Sequence, residues 1–309
     1  MTRFRGRHLL SMRDLTGEEI VEVLTFAREL KRRQKIGEPH ALCRGKTLAM
    51  IFQKASTRTR VSFEVAMWQL GGYALYLSGQ DLQLGRGESI ADTARVLSRY
   101  VDGIMVRTFA HADVEEMARY ADVPVINGLT DHEHPCQILA DLLTIWEQKG
   151  KLAGLKLAFI GDGNNIAHSL LLGCARVGMN IAVATPRGYE PAPEVVEVAR
   201  TDAAASGGAV EVGHDPTQAV AGADVVVTDV WTSMGQEAER ARRLVDFAPY
   251  QVNGRLVERA KPDFIFLHCL PAHRDEEVTT DVIDGPHSAV WDEAENRLHV
   301  QKAILAMFL

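Results

Sequence analysis

Apolar positions along the chain recur with two spacings, and each predicts a different element. In "LTGEEIVEVLTFARELKRRQ", Ile20, Val23, Leu24, Ala27 and Leu30 fall on one face of a 3.6-residue period, so a helix is expected. Thr16 and Glu19 stand where a capping box would close its first turn. Elsewhere the apolar residues run unbroken over short spans: "KTLAMIF" (46–52), "GIMVRT" (103–108) and "VPVING" (123–128). Such runs suit buried strands of a parallel sheet. Between them lie helical patterns. Residues 57–70 place Val61, Val65 and Trp68 on one face and stop at Gly71-Gly72. "ADTARVLSRY" predicts another helix.

"HPCQILADLLTIWEQKG" then predicts a long helix, with Pro135 at a favoured first position and Gly150 at its end. A second series starts at "LKLAFIGDGNNIAHSLLLGCARVG". It continues through apolar runs at 180–185, 223–231 and 263–271. A final helix over about 292–308 carries Leu298, Ile304, Met307 and Phe308. Strands alternating with helices predict α/β domains built on parallel sheets. The boundary is expected in or just after the 135–149 helix, giving domains of 1–145 and 146–291. The last helix (about 292–309) is expected to pack back on the first.

Composition narrows the class. The chain has 309 residues, is 46% hydrophobic and carries a formal net charge of −7, which suits two domains with real cores. A pI near 5.9 argues against general nucleic-acid binding. No run of 18 apolar residues occurs, so no membrane span is expected. "MTRFRGRHLL" is basic but has no apolar h-region, so no signal peptide is expected. Cys43, Cys136, Cys174 and Cys269 show neither CxxC nor CxxH spacing. That argues against a zinc site or a disulfide framework, and free thiols suit a cytoplasmic location.

Against this acidic background, "KASTRTRVSFE" (54–64) is conspicuous. It gathers Lys54, Arg58, Arg60, Ser56, Thr57 and Thr59 between a strand and a helix. A helix N-terminus has unpaired N–H groups and partial positive charge, and with hydroxyls and guanidinium forks it forms an anion site. The plainer alternative is a solvated helix start with Ser56 as its cap. Arg107 ends a strand, where an ion-pair role competes with ligand binding. His134 and Gln137 open another helix, where His134 would otherwise be a satisfied cap.

"GDGNN" (161–165) is a near-match to a dinucleotide fingerprint. Ile166 occupies the position that needs a small residue, and the following strand lacks the ribose-binding acid, so a nicotinamide cofactor is not expected. Asn164 and Asn165 are left as holders of a polar substrate. Asp229, at the end of another apolar run, binds an ammonium or caps a turn. Cys269 lies beside His268 at a strand end, which makes it a site candidate and not only a buried thiol. There is no G-x-S-x-G elbow for serine-hydrolase chemistry.

Four stretches in order resemble the aspartate/ornithine carbamoyltransferase family: "STRTR" (56–60), "HPCQ" (134–137), "DVWTSMGQE" (229–237) and "HCLP" (268–271). The similarity runs from "GRHLLSMRDLTGEEI" to the final helix. The Ser-Met-Gly and His-Cys-Leu-Pro stretches are similar to the ornithine branch. The resemblance implies two doubly wound α/β domains with helices on both sheet faces and the active site between them. The first would take carbamoyl phosphate and the second L-ornithine, with citrulline and phosphate as products.

It also implies the site residues. Ser56, Thr57, Arg58 and Thr59 would hold the phosphate. Arg107, His134 and Gln137 would join Arg58 around the carbamoyl group, with Pro135, Cys136, Cys269, Leu270 and Arg297 completing that part of the site. Asn165, Asp229, Ser233 and Met234 would bind ornithine. Arg58, Arg107, His134 and Cys269 would serve catalysis, Cys269 as acceptor of a hydrogen bond or proton from the attacking amine. The loop from Ser233 to Gly235 would be a lid. No metal and no cofactor is implied. A homotrimer, or an assembly of trimers, is implied, in which the loop 79–89 delivers Gln83 to a neighbouring site. Arg86 stands in that loop where the aspartate branch has a lysine. Ser11, outside every motif, is expected to be silent when replaced by alanine.

Overall fold

The computed structural model describes residues 3–84 and 87–309, and Arg86 lies outside them. The chain divides into two compact units. The first runs to Ala140 and also takes in Glu295–Leu309, and the second is Asp141–Ala294.

The first unit holds β1 (Thr47–Phe52), β2 (Tyr73–Ser78), β3 (Gly103–Arg107) and β4 (Val125–Leu129). All pair in parallel, in the order β2-β1-β3-β4. Its helices are α1 (Gly17–Lys35), α2 (Thr57–Gln69), α3 (Ile90–Leu97), α4 (His111–Tyr120) and the start of α5 (Pro135–Lys149). The predicted face of α1 is buried, and Thr16 and Glu19 form the capping box. One core cluster joins Ala49, Ile51, Ile104 and Val106 of the sheet to Val114 and Met117 of α4. Leu9 adds a bridge to β4 at Ile126, so the N-terminal segment runs beside that edge.

The expected face of α2 is corrected. Trp68 is 76% and Val61 50% exposed, whereas Thr59, Phe63, Ala66 and Met67 are buried. The helix is apolar on more than one side, so periodicity alone chose the wrong stripe. Beside it β2, an edge strand, leaves Tyr73 exposed as well.

The second unit holds β5 (Lys156–Ile160), β6 (Asn180–Ala184), β7 (Val210–Gly213), β8 (Val225–Thr228) and β9 (Ile265–His268). They too are parallel, in the order β7-β6-β5-β8-β9. Its helices are α6 (Asn165–Arg176), α7 (Pro193–Ser206), α8 (Pro216–Val220), α9 (Arg240–Phe247), α10 (Gly254–Val257), α11 (Thr280–Ile283) and the start of α12 (Val290–Phe308). Its core unites Ala158, Ile160, Val226 and Phe266 with Val252, Val282 and Val290.

Each sheet reverses its winding once. The chain leaves β1 towards β2 and returns to the other side at β3. It leaves β5 towards β6 and β7 and returns at β8. At such a reversal the loops after two neighbouring strands part, and the crevice left beyond the strand ends receives ligands. "STRTR" follows β1 and Arg107 ends β3, while "GDGNN" follows β5 and Asp229 follows β8. The topology therefore sets the candidate residues at two switch points, one in each unit.

Candidate active site

In the first unit, Ser56 is the N-cap of α2, and its Oγ accepts from the Thr59 N–H at 3.2 Å. Thr59 is fully buried, and its Oγ1 accepts from two guanidiniums, Arg297 at 2.9 Å and Arg107 at 3.3 Å. Arg297 also donates to Gln137 Oε1 at 2.8 Å. Two guanidiniums from distant stretches thus converge on one threonine, and one of them also holds Gln137. Arg107 reaches Thr59 from a register shift between Val106 and Arg107, where β3 steps past Gly128 of β4. The extra residue of this bulge lies in β4, and a Cβ at position 128 would come within 2.4 Å of Met105 Sδ, so that side chain would have to shift.

His134 sits inside this group, 3% exposed. Burial, and then the charges of Arg297, Arg107 and Arg58, hold its imidazole well below the usual histidine range. It is neutral at pH 7. Pro135 opens α5, and Cys136 is buried with its Sγ on the Asn127 carbonyl at 3.5 Å. Burial pushes that thiol up to about 12, so it is inert. Lys54 pairs with Asp131 and lies 4.5 Å from the centre of the Phe109 ring. Arg60 pairs with Glu64 at 3.0 Å and covers Tyr76. Thr57 is exposed and Arg58 half-buried on the first turn of α2, and Gln83 is exposed on the loop after β2.

In the second unit, Asp229 is buried and held from two sides. Asn164 Nδ2 donates to its Oδ2 at 2.8 Å, and Cys269 Sγ donates to its Oδ1 at 3.1 Å. Asn164 is also the N-cap of α6, its Oδ1 accepting from Ile166 and Ala167. Asn164 is therefore corrected from substrate holder to support. Asn165, the first residue of α6, stays half-buried beside it.

Toward Asp229, Cys269 is a donor. Burial, and then the charges of Asp229 and Glu293, push its thiol well above the ordinary range. It keeps its proton and donates it to Asp229, so it is no base at neutral pH. Next to it, Leu270 has a left-handed backbone (φ 58°) that few non-glycine residues adopt. Its N–H donates to His268 Nδ1 at 2.9 Å, which leaves the ring proton on Nε2, facing Glu277 Oε1 at 3.2 Å. Ser233 is half-buried and Met234 half exposed on the loop after β8. That loop is tied within itself, the Ser233 N–H to Gln236 and the Gly235 N–H to Glu237.

Sequence reasoning missed the base of this loop. Arg243 donates to Asp162 Oδ2 at 2.8 Å, to the Trp231 carbonyl at 2.9 Å and to Glu239 Oε2 at 2.9 Å. One buried guanidinium thereby joins the "GDGNN" turn to both ends of the Ser-Met-Gly loop. The signal available was only an arginine on an amphipathic helix.

The fold and the two clusters define a two-unit parallel α/β protein with a guanidinium-rich switch point in one unit and a buried carboxylate at the switch point of the other. Comparison with known proteins identifies the family. Residues 7–147 match the carbamoyl-P binding domain of aspartate/ornithine carbamoyltransferase, and residues 153–308 match its Asp/Orn binding domain. The chain belongs to the aspartate/ornithine carbamoyltransferase family. It is 67% identical over 306 residues to the ornithine carbamoyltransferase of Carboxydothermus hydrogenoformans, covering 99% of this chain and 98% of that one. It is 63% identical to the anabolic ornithine carbamoyltransferase of Pyrococcus furiosus, covering 98% and 96%. A solved structure of ornithine carbamoyltransferase from P. furiosus superposes with a TM-score of 0.96, covering 99% and 97% at 63% identity.

Proposed function

We propose that this protein transfers the carbamoyl group of carbamoyl phosphate to the δ-amine of L-ornithine, giving L-citrulline and phosphate. One observation carries the reading. Arg107 and Arg297 meet on Thr59 around a neutral His134, while the other switch point carries a carboxylate, Asp229, held by a thiol and an amide. The first set suits a phosphorylated electrophile and the second an amino acid that arrives as a cation. Identity of 59–67% to several ornithine carbamoyltransferases supports ornithine as the acceptor, and the anabolic relative supports a place in arginine biosynthesis.

In this reading Ser56, Thr57, Arg58 and Thr59 hold the phosphate, with Gln83, Pro135, Cys136, Cys269, Leu270 and Arg297 completing the carbamoyl-phosphate site. As the amine attacks, negative charge grows on the carbonyl oxygen. Arg58, Arg107 and neutral His134 act as donors to it, each contributing about 3–4 kcal/mol in comparable sites. The C–N bond forms, the C–O bond to phosphate breaks, the proton released from the amine nitrogen goes to the departing phosphate, and the arginines offset the phosphate's remaining charge. The amine must arrive neutral. With a pKa near that of lysine, about one molecule in 2,500 is neutral at pH 7. Asp229, Asn165, Ser233 and Met234 orient ornithine. Cys269, as a protonated thiol, fixes Asp229 and offers only its sulfur lone pairs to the amine.

We also place Gln83 at the site of a neighbouring copy in a homotrimer. Exposed apolar groups on α2 and the sheet edge, Val61, Trp68 and Tyr73, support such contacts. The free cysteines support a cytoplasmic location. The test is direct. The protein is mixed with carbamoyl phosphate and with ornithine, aspartate or putrescine, and phosphate and ureido product are measured. Citrulline from ornithine is the expected product, and a preference for another amine overturns the reading.

A further inference from the structure

Glu133 is 2% exposed and stands one residue before His134. Its carboxylate accepts from Ser11 Oγ at 2.5 Å and from the Met12 N–H at 2.9 Å. Ser11 in turn caps the 3-10 turn Met12–Asp14, its Oγ accepting from the Arg13 N–H at 3.0 Å. The segment before Ser11 is keyed to the same place. Leu9 exchanges backbone bonds with Val125 and Asn127, and Asn127 Nδ2 donates to the Leu10 carbonyl at 2.8 Å. On its other side the Glu133 backbone is tied to Thr130, N–H to Oγ1 at 3.1 Å and carbonyl to the Thr130 N–H at 2.9 Å. Two hydrogen bonds are donated to the carboxylate oxygens, an arrangement that fits the ionised form.

We propose that Glu133 is a positioning residue: its ionised carboxylate locks the N-terminal turn at Ser11-Met12 onto the start of α5 and so holds His134 among Arg58, Arg107 and Arg297. The inference rests on the proposed role of His134 in carbamoyl-phosphate recognition. It corrects the expectation that Ser11 is silent, since Ser11 supplies one of the two donors.

The charge is held at a cost. Burial pushes the carboxyl from 4.5 up to about 7, the nearby Asp14 adds to this, and Ser11, Met12 and Arg13 oppose it. The acid form is the one folding favours. The group's contribution to stability is therefore full below about pH 4.5 and is lost as pH rises through about 7. Below that midpoint the new O–H must find an acceptor, and Ser11 has to turn to provide one.

Glu133→Gln imitates the protonated form and is the test. At pH 8 its kcat/KM for carbamoyl phosphate is expected to fall about tenfold, with the KM for ornithine nearly unchanged and the melting temperature equal or higher. The ratio of variant to wild-type rate, which cancels titration of the amine substrate, is expected to return towards one below pH 7. Ser11→Ala is expected to lose about threefold. A variant that keeps wild-type kcat/KM at pH 8, or that loses rate only with a lower melting temperature, overturns the proposal. Binding of inorganic phosphate, followed by calorimetry for both proteins across the same pH range, separates the two readings. If the wild type made no citrulline, the proposed reaction would fall, while a pH-dependent tenfold difference in phosphate binding would still support Glu133 and its absence would refute it.

Discussion

The two switch points are built to opposite electrical plans, and each keeps its central group uncharged. Around Thr59, burial and then the guanidiniums suppress protonation of a histidine. Around Asp229, burial and then the carboxylates suppress ionisation of a thiol. In both cases burial leads and the surrounding charge adds to it. His134 is left as a hydrogen-bonding imidazole and Cys269 as a thiol donor. In the proposed reaction, charge stabilisation would belong to the first unit and orientation of the nucleophile to the second.

The comparison can be broken most decisively at Arg107. Arg107→Ala should lower kcat about 10²- to 10³-fold in a citrulline assay, with the KM for ornithine little changed. A large rise in that KM instead would mean the division of labour is wrong. Next in size is Arg243→Leu, which strands Asp162 in a buried position. Breaking such a pair costs about 3–5 kcal/mol, to be read from urea unfolding. Burial already holds Asp162 up at about 6, so that group's stability contribution is lost as pH rises from 3.8 through 6. The deficit of Arg243→Leu should accordingly shrink towards pH 5.

Asp229→Asn should raise the KM for ornithine about tenfold or more while leaving carbamoyl-phosphate binding intact. It should also lower the Cys269 pKa, so that iodoacetamide, sluggish towards Cys269 in the wild type at pH 8, reacts faster in the variant. Equal alkylation rates would show that Asp229 does not control the thiol. Smallest is Asn164→Ala. Loss of the α6 cap should cost about 0.5–2 kcal/mol, with a modest effect on ornithine KM through the freed Asp229.

Much of this was legible because it is local. The strands around Met50, Met105 and Val227 announce themselves as apolar runs, and Thr16 with Glu19 is a capping box in any context. Strands β2 and β7 escaped notice. They lie at sheet edges, where every residue is exposed or only half-buried, and lack the buried apolar run of the inner strands. The site residues were recognisable as motifs, but their supports were not. Ser11 and Glu133 are 122 positions apart, and Asp162 and Arg243 are 81 apart. No spacing rule links such pairs, since only the folded topology brings them together. For Cys269 the residue was visible but its protonation was not, because that depends on its burial and then on the carboxylates folded around it.

The boundary between the two units cuts two continuous helices, α5 after Ala140 and α12 after Ala294. The first unit is therefore discontinuous in the chain. Phe308 packs on Phe4 at 5.5 Å, its carbonyl accepts from the Gly6 N–H, and Leu309 fills the space beside Gly103. On the ribosome, the four strands of that unit emerge first yet must wait for all of Asp141–Ala294 before their last wall arrives. The second unit, encoded without interruption, can close earlier. Order of synthesis and order of completion are thus reversed, and a chain stalled before residue 295 would carry a finished second unit and an unfinished first one.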